Sequence, residues 1–469
     1  MTLSTPILWV ILPLIIAAVA LVFYNREVFG IILTSASALG LALLAFFFPE
    51  NLTVELGSLL VVFEESLGIL GRSITLSVSI LPFISLIYAV TGLWALVSGI
   101  PGTPKFFRPS SLAITALLTA ALGVEPFLYA ALLIYLAVIA SLPILSPAGK
   151  KPQPGVLRYL ILQTLALPFI LLAGWLLSGV EALPSDSPLV GQSAIILGLG
   201  FALWLGIFPF HSWLPMVSQH AHPLVVSHLM FLLPSTVFVF SLNFFDRYIF
   251  LRTLQNLGGT ISFIGALMIF LGGLWTAIQD DIKRAFGYSI LSETGFTLLA
   301  LSLFSQDGLK WMLILFPVRA LGFWLWGYTM SLIEKHNGSV DIDALQGFAW
   351  QYPLLSSGLL VAQFSIAGLP LLALFPVKLS ILTAIFRNNS TIGIWAFIGY
   401  LGLFLFTFRM LATFIKSNDT SKLTAWVISE KKHEYLPILI MIVILVILGL
   451  FPSIIENLTS TLTTFPQLQ

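Results

Sequence analysis

The sequence predicts an all-α, polytopic membrane protein of about fourteen transmembrane helices, and three observations carry that prediction. Of the 469 residues, 58% are hydrophobic and only 9% charged, more apolar surface than a soluble domain of this length could hide. The apolar residues fall in runs of about 20, the length a helix needs to cross the hydrocarbon core. Once those runs are laid out as spans, the basic residues divide unequally between alternate loops.

The first run, 7–24, has no basic segment before it and no small-residue cleavage pattern after it, so it reads as a first helix and not a removed signal. Runs 28–48 and 75–99 follow. Between them, 49–74 contains ELGSLLVVFEESLG, apolar with interspersed acids, and reads as a loop or a surface helix along the outer face. Run 108–122 is the shortest, and 126–145 and 156–178 come next. Run 191–209 leads into FPFHSWLPMVSQHAHP, where Pro209, Pro215 and Pro223 each remove a backbone donor, so a helix break is expected near 209–215. Spans 224–244 and 258–278 follow. Asp280 and Asp281 supply an acidic start for 285–304, and Lys283 with Arg284 marks its cytoplasmic boundary. Span 310–332 contains Pro317. Span 353–384 is interrupted by Gly368-Leu369-Pro370 and again by Pro376, which frees carbonyls that only protein or water satisfies at bilayer depth. Spans 391–415 and 435–453 complete the set. The polar stretches 146–155, 179–190, 333–352 and 416–434 have the length of loops or surface helices, leaving no room for a separate soluble domain.

About thirteen basic residues fall on one side of this layout, among them Arg26, Lys105, Lys283 and Lys432, against about five on the other. The richer side is assigned to the cytoplasm, which puts both termini on the non-cytoplasmic side. A net charge of +1 makes no case for nucleic acid. The absence of cysteine excludes cysteine-ligated iron–sulfur clusters, thiolate zinc and disulfides within the chain. Neither a catalytic nucleophile nor a metal set nor a phosphate loop is evident, so no cofactor and no metal is expected.

The charges inside the spans are the candidates for function. Lys378 follows the broken segment, and a lysine at that depth costs roughly 2.5–3.5 kcal/mol on insertion scales. A buried ionisable group beside a broken helix is a common construction in ion-moving membrane proteins. Glu293 lies about two turns inside its span and must face a partner or a hydrated cavity, or be protonated; structural and proton-relay roles are both open. Arg319 stays charged at physiological pH, so it reads as an electrostatic partner for Glu293 or for bound water. His228 is either hydrogen-bonded structure or a group titrating near neutrality. His211, Trp213, His220 and His222 read as boundary anchors, with no acid or cysteine nearby to complete a zinc site.

Together these stretches resemble the antiporter-like membrane subunits of respiratory complex I (NuoL, NuoM and NuoN) and the related MrpA and MrpD subunits of Mrp-type cation/proton antiporters. PFHSWLP at 209–215 is similar to the family's PFHxWLP element, and DIKRAFGYSILSETGF at 281–296 to its DIKRLLAYSSISxxGF stretch. RALGFWLWG at 319–327 resembles KAxLFLxAG, and FSIAGLPLLALFPVKLSIL at 364–382 resembles SLAGLPPLxGFxxKF. The resemblance implies helices 1–3 in 1–107, two inverted five-helix repeats at 108–244 and 258–415, and a cytoplasmic loop with a C-terminal helix in 416–469. Each repeat would contain one broken helix, marked by Pro209 and Pro215 in the first and Pro370 in the second. Its partners would be other membrane subunits of a complex I-like or Mrp-like assembly, the lipid bilayer, and protons or Na+. Its setting would be a bacterial plasma membrane or a thylakoid-type energy-transducing membrane. Any NADH dehydrogenase (quinone)-type chemistry would belong to partner subunits.

The departures from the family pattern fall mostly in the first repeat. Ile134 stands where the family has a glutamate, with Glu125 about 13 Å lower. Trp204 stands for a lysine, and Pro234 to Thr236 offer no charge at the position of the eighth-helix lysine. Arg319 replaces a lysine, Glu293 replaces a histidine or glutamine, and Lys378 keeps its place. Two readings follow. In the first, the chain translocates protons with Lys378, Glu293 and His228 as relay stations and Arg319 as fixed charge. In the second it is a non-conducting scaffold subunit.

Overall fold

The computed structural model describes residues 2–48, 53–56, 59–69, 71–146, 149, 151–180, 188–248, 251, 254, 256–416 and 429–459. Every apolar run named above is helical within them. Helix α1 (Leu12–Val22) is entered through a π-helical turn, Ile7–Ile11, and is followed by α2 (Glu27–Phe46) and α3 (Leu81–Leu96). Next come α4 (Phe107–Gly123), α5 (Ala130–Leu145), α6 (Pro154–Val180) and α7 (Pro188–Leu205). Gly206, at φ +63°, ends α7; after a 3₁₀ turn at Phe210–Ser212 the chain resumes as α8 (Trp213–His220). Pro209 therefore sits at the break. Pro215 does not: it is the third residue of α8, in the first turn, where a missing N–H leaves no helical bond unmade.

Helices α9 (Pro223–Arg247), α10 (Leu257–Ala277), α11 (Ile282–Ser302) and α12 (Gln306–Asn337) follow. The span read as 353–384 is two helices, α13 (Pro353–Ala367) and α14 (Phe375–Asn388). Between them Gly368 and Leu371 take φ of +75° and +79°, and Pro370 lies in this linker. Helices α15 (Ser390–Ile415), α16 (Lys432–Leu450) and α17 (Pro452–Thr459) complete the described chain. The expected loops at 146–155, 179–190 and 416–434 lie partly outside the described residues, as does the end of 416–469.

The segment 49–74 departs from the expected loop or surface helix. Its described part forms strands, with β1 (Thr2–Ser4) parallel to β3 (Leu59–Glu64) and β2 (Thr53–Leu56) antiparallel to β3. A second sheet orders β4 (Ser66–Ile69), β5 (Arg72–Thr75) and β6 (Val124–Glu125). Valine, phenylalanine and leucine in the LLVVFE run favour an extended, pleated chain over a helix. Glu125 pairs with Ser73 at this sheet's edge and is exposed.

Among the described residues, ten helical stretches are long and apolar enough to cross a membrane. Helix α11 is not one of them: it carries Lys283, Arg284 and Glu293 along with several serines and threonines. Yet every residue of α11 except Arg284 is buried. Apolar neighbours shield it: α10, α12, α15 and α8 pack around it, and α9 is buried from Pro223 to Leu242. Small residues permit the closest approaches. A Cβ on Gly273 would fall 1.7 Å from the Gly399 carbonyl oxygen, where α10 crosses α15, and one on Gly287 would fall 2.5 Å from the Pro215 Cα, where α11 meets α8. The polar helix is thus held in the protein interior, away from lipid.

Candidate functional site

Three charged side chains from three helices meet, two cations on one carboxylate. Glu293 comes from α11, Arg319 from α12 and Lys378 from the start of α14, with relative exposures of 1%, 3% and 0%. Arg319 Nε donates to Glu293 Oε2 at 2.9 Å. Its Nη2 donates to the Glu293 backbone carbonyl at 2.8 Å and to Thr297 Oγ1 at 2.7 Å. Lys378 Nζ bonds the other carboxylate oxygen, Oε1, and also the Ile366 carbonyl in the last turn of α13. The ammonium lies 4.5 Å from the centroid of the Phe296 ring, which adds a cation–π interaction as its third contact.

The broken helix makes this arrangement possible. Lys378 lies in the first turn of α14 and reaches back to a carbonyl that the break leaves without a helical partner. A Cβ on Gly368 would lie 2.7 Å from the Tyr400 hydroxyl and 3.2 Å from Lys378 Cδ, so glycine is required both for its positive φ and for this approach. Tyr400 Oη donates to the Gly368 carbonyl at 2.5 Å. On the Lys283 side of Glu293 along α11, Gln363 Nε2 donates to Ser289 Oγ at 3.2 Å. Gln363 Oε1 and Ser365 Oγ are buried and take no hydrogen-bond partner among the described residues.

The cluster holds two cationic groups and one anionic group. Arginine cannot release a proton in a protein, so a charge-balanced state is reached only when the lysine is neutral. Low dielectric raises the stakes of that choice, since an unbalanced buried charge is costly. Chemically the site can hold or release one proton at Lys378 Nζ while Arg319 and Glu293 remain paired.

The remaining sequence candidates lie apart from this cluster. His228, on α9, is fully buried, with Nε2 at 3.3 Å from Thr91 Oγ1, which is itself 2.6 Å from Thr115 Oγ1. Among the described residues no hydrogen bond joins it to Glu293, Arg319 or Lys378. Ile134 and Trp204, at 1% and 3% exposure, are packed in the apolar core. The Trp204 carbonyl accepts from Gln163 Nε2 at 3.0 Å. Sequence reasoning did not single out Thr297, Phe296 and Tyr400. Phe296 and Thr297 follow Glu293 by three and four residues, so helical spacing alone puts them on its face; Tyr400 is distant in sequence and carried no such signal.

A second group of charges sits where α9, α11 and α16 begin and α12 ends. Lys283 Nζ pairs with Glu334 at 3.1 Å, and Glu434 Oε1 receives Lys335 at 2.8 Å and lies 3.4 Å from His336. His222 stands beside Lys283. Burial pushes its imidazole down to about 4, the Lys283 charge acts in the same direction, and a bond to Pro101 partly opposes both.

Residues 177–404 match the family model described as NADH:quinone oxidoreductase/Mrp antiporter, TM. The chain is 23% identical over 334 residues to NADH-quinone oxidoreductase subunit N of Cytophaga hutchinsonii, covering 68% of this chain and 72% of that one. It is 28% identical over 364 residues to the subunit N of Buchnera aphidicola subsp. Schizaphis graminum, covering 69% and 72%. A chain of the Mrp complex from Dietzia sp. DQ12-45-1b superposes with a TM-score of 0.81 at 16% identity, over 98% of this chain and 96% of that chain. A chain of respiratory complex I from Thermus thermophilus with bound NADH gives a TM-score of 0.72 at 20% identity, over 99% and 100%.

Proposed function

We propose, from the match of residues 177–404 to the family model described as NADH:quinone oxidoreductase/Mrp antiporter, TM, that this integral multi-pass chain is a proton-translocating subunit of a larger membrane assembly. The observation that carries the reading is the buried Glu293, Arg319 and Lys378 cluster at the α13–α14 break. Lys378 is the proton carrier. Glu293 is its counter-charge and exchange partner, and Arg319 is the fixed cation that pairs with Glu293 and orients it. Protons reach the cluster from the Lys283 end through Ser289, Gln363 and water held by Gln363 Oε1 and Ser365 Oγ, which take no partner among the described residues. The inverted repeats at 108–244 and 258–415 divide the work unequally: the second carries the titrating site, and the first, apolar at Ile134 and Trp204, supports it. His228 serves as a polar junction and not as a station in direct contact with Lys378.

The assembly is complex I-like or Mrp-like, in an energy-transducing membrane with both termini outside, as the distribution of basic residues supports. Redox chemistry or a Na+ gradient, where either drives transport, is supplied by partner subunits. The test is proton uptake by membrane vesicles carrying the assembled complex with Lys378→Ala. Uptake falls to background while the complex still assembles; full uptake in an assembled complex would remove Lys378 from the mechanism.

A further inference from the structure

The half-helix α13 is capped by a charge at each end. At its N-terminus Glu430 Oε1 accepts the backbone N–H groups of Leu354 and Leu355 at 2.8 and 3.2 Å. This carboxylate is buried, and its second oxygen takes no partner among the described residues. At the other end Lys378 Nζ bonds the Ile366 carbonyl. The two caps are separated by the 15-residue helix, about 22 Å. Their signs match the helix dipole, with an anion at the positive end and a cation at the negative end. Charge therefore alternates from contact to contact: Glu430, the two ends of α13, Lys378, Glu293 and Arg319.

We propose that Glu430 is a positioning residue for Lys378, acting through α13. Its negative charge at the N–H end holds α13 in place and favours the ammonium at the carbonyl end. The inference rests on the reading of Lys378 as the proton carrier. Lys378 is faced by Glu293 on α11, by Arg319 on α12, and by Tyr400 on α15 through the Gly368 carbonyl. Around Glu430 stand Lys431 and Glu434 of its own segment, and Lys335 and His336 at the end of α12, both of which engage Glu434. Of these, Glu430 is the one bonded to α13.

Glu430→Gln separates charge from structure, because an amide oxygen still accepts both N–H bonds. The measurement is the pH at half-maximal proton uptake in the assembled complex, alongside Lys378→Ala. Glu430→Gln shifts that midpoint towards acid by roughly half a pH unit, and Glu430→Asp returns most of the shift. Glu430→Ser, another neutral cap, is the second variant should the glutamine complex not assemble. An unchanged midpoint in either neutral variant, with uptake still abolished by Lys378→Ala, overturns this inference alone. Full uptake in Lys378→Ala overturns the functional reading on which it stands.

Discussion

At the scale of single residues, Glu293 is the keystone because two cations depend on it. Removing one partner of a buried ion pair typically costs about 3–5 kcal/mol, since the other charge stays behind. Glu293→Gln leaves Arg319 without a counter-charge even when Lys378 is neutral, whereas Lys378→Met leaves a balanced Glu293–Arg319 pair. Thermal unfolding of the purified chain should therefore drop far more for Glu293→Gln than for Lys378→Met, although both lose proton uptake. Equal losses would show that the charge balance assigned here is wrong. Arg319→Lys gives up the fork that serves Glu293 twice and Thr297 once, and it should destabilise although it conserves charge. His222 adds a pH dependence whose sign is fixed by its depressed value of about 4. The unfolded chain binds the proton first, near 6.5, so the stability from burying a neutral imidazole is complete above that pH and is lost as pH falls from 6.5 towards 4. Melting curves at pH 7.5 and 5 should differ less in His222→Phe than in the parent. The sequence disclosed these charges individually, because burial of a charge at bilayer depth is conspicuous. It could not disclose that residues 293, 319 and 378 share one carboxylate, which depends on how α11, α12 and α14 pack.

At the scale of elements, helix breaks and close crossings organise the site. The second break was legible from Gly368-Leu369-Pro370, with Lys378 beside it the strongest single clue; the first was expected from proline near 209–215 and begins at Gly206. Pro215 misled because proline in a first helical turn obeys the same sequence pattern as proline at a break. The strands at 53–75 were missed because an apolar run with scattered acids satisfies either a surface helix or an extended ribbon. Gly287 and Gly399 test the packing. A side chain at Gly287 would collide with the Pro215 backbone, and one at Gly399 would lie 2.2 Å from the Ile269 carbonyl oxygen. Gly287→Val should separate α8 from α11, and Gly399→Leu should separate α10 from α15. Each should lower the melting temperature or prevent assembly, whereas alanine at the open position Gly259 should leave both unchanged. Normal melting and assembly of the Gly287 or Gly399 variant would contradict these crossings.

At the scale of the whole molecule, hydropathy gave the spans because each apolar run is as long as a bilayer is thick, a constraint that needs no tertiary knowledge. Which helices lie inside was harder to read. The most polar of them, α11, is almost wholly buried, and α9 is buried on all sides for most of its length, because neighbouring helices take the place of lipid. On the proposed function, 258–415 is the conducting half and Lys378 its titrating group. Lys378→Arg tests this most directly, since arginine keeps the positive charge beside Glu293 but cannot unload a proton. In proteoliposomes containing the assembled complex, Lys378→Arg should be as inactive in proton uptake as Lys378→Ala. Uptake at the parental rate by the arginine variant would reduce Lys378 to a fixed charge and contradict the proposed mechanism.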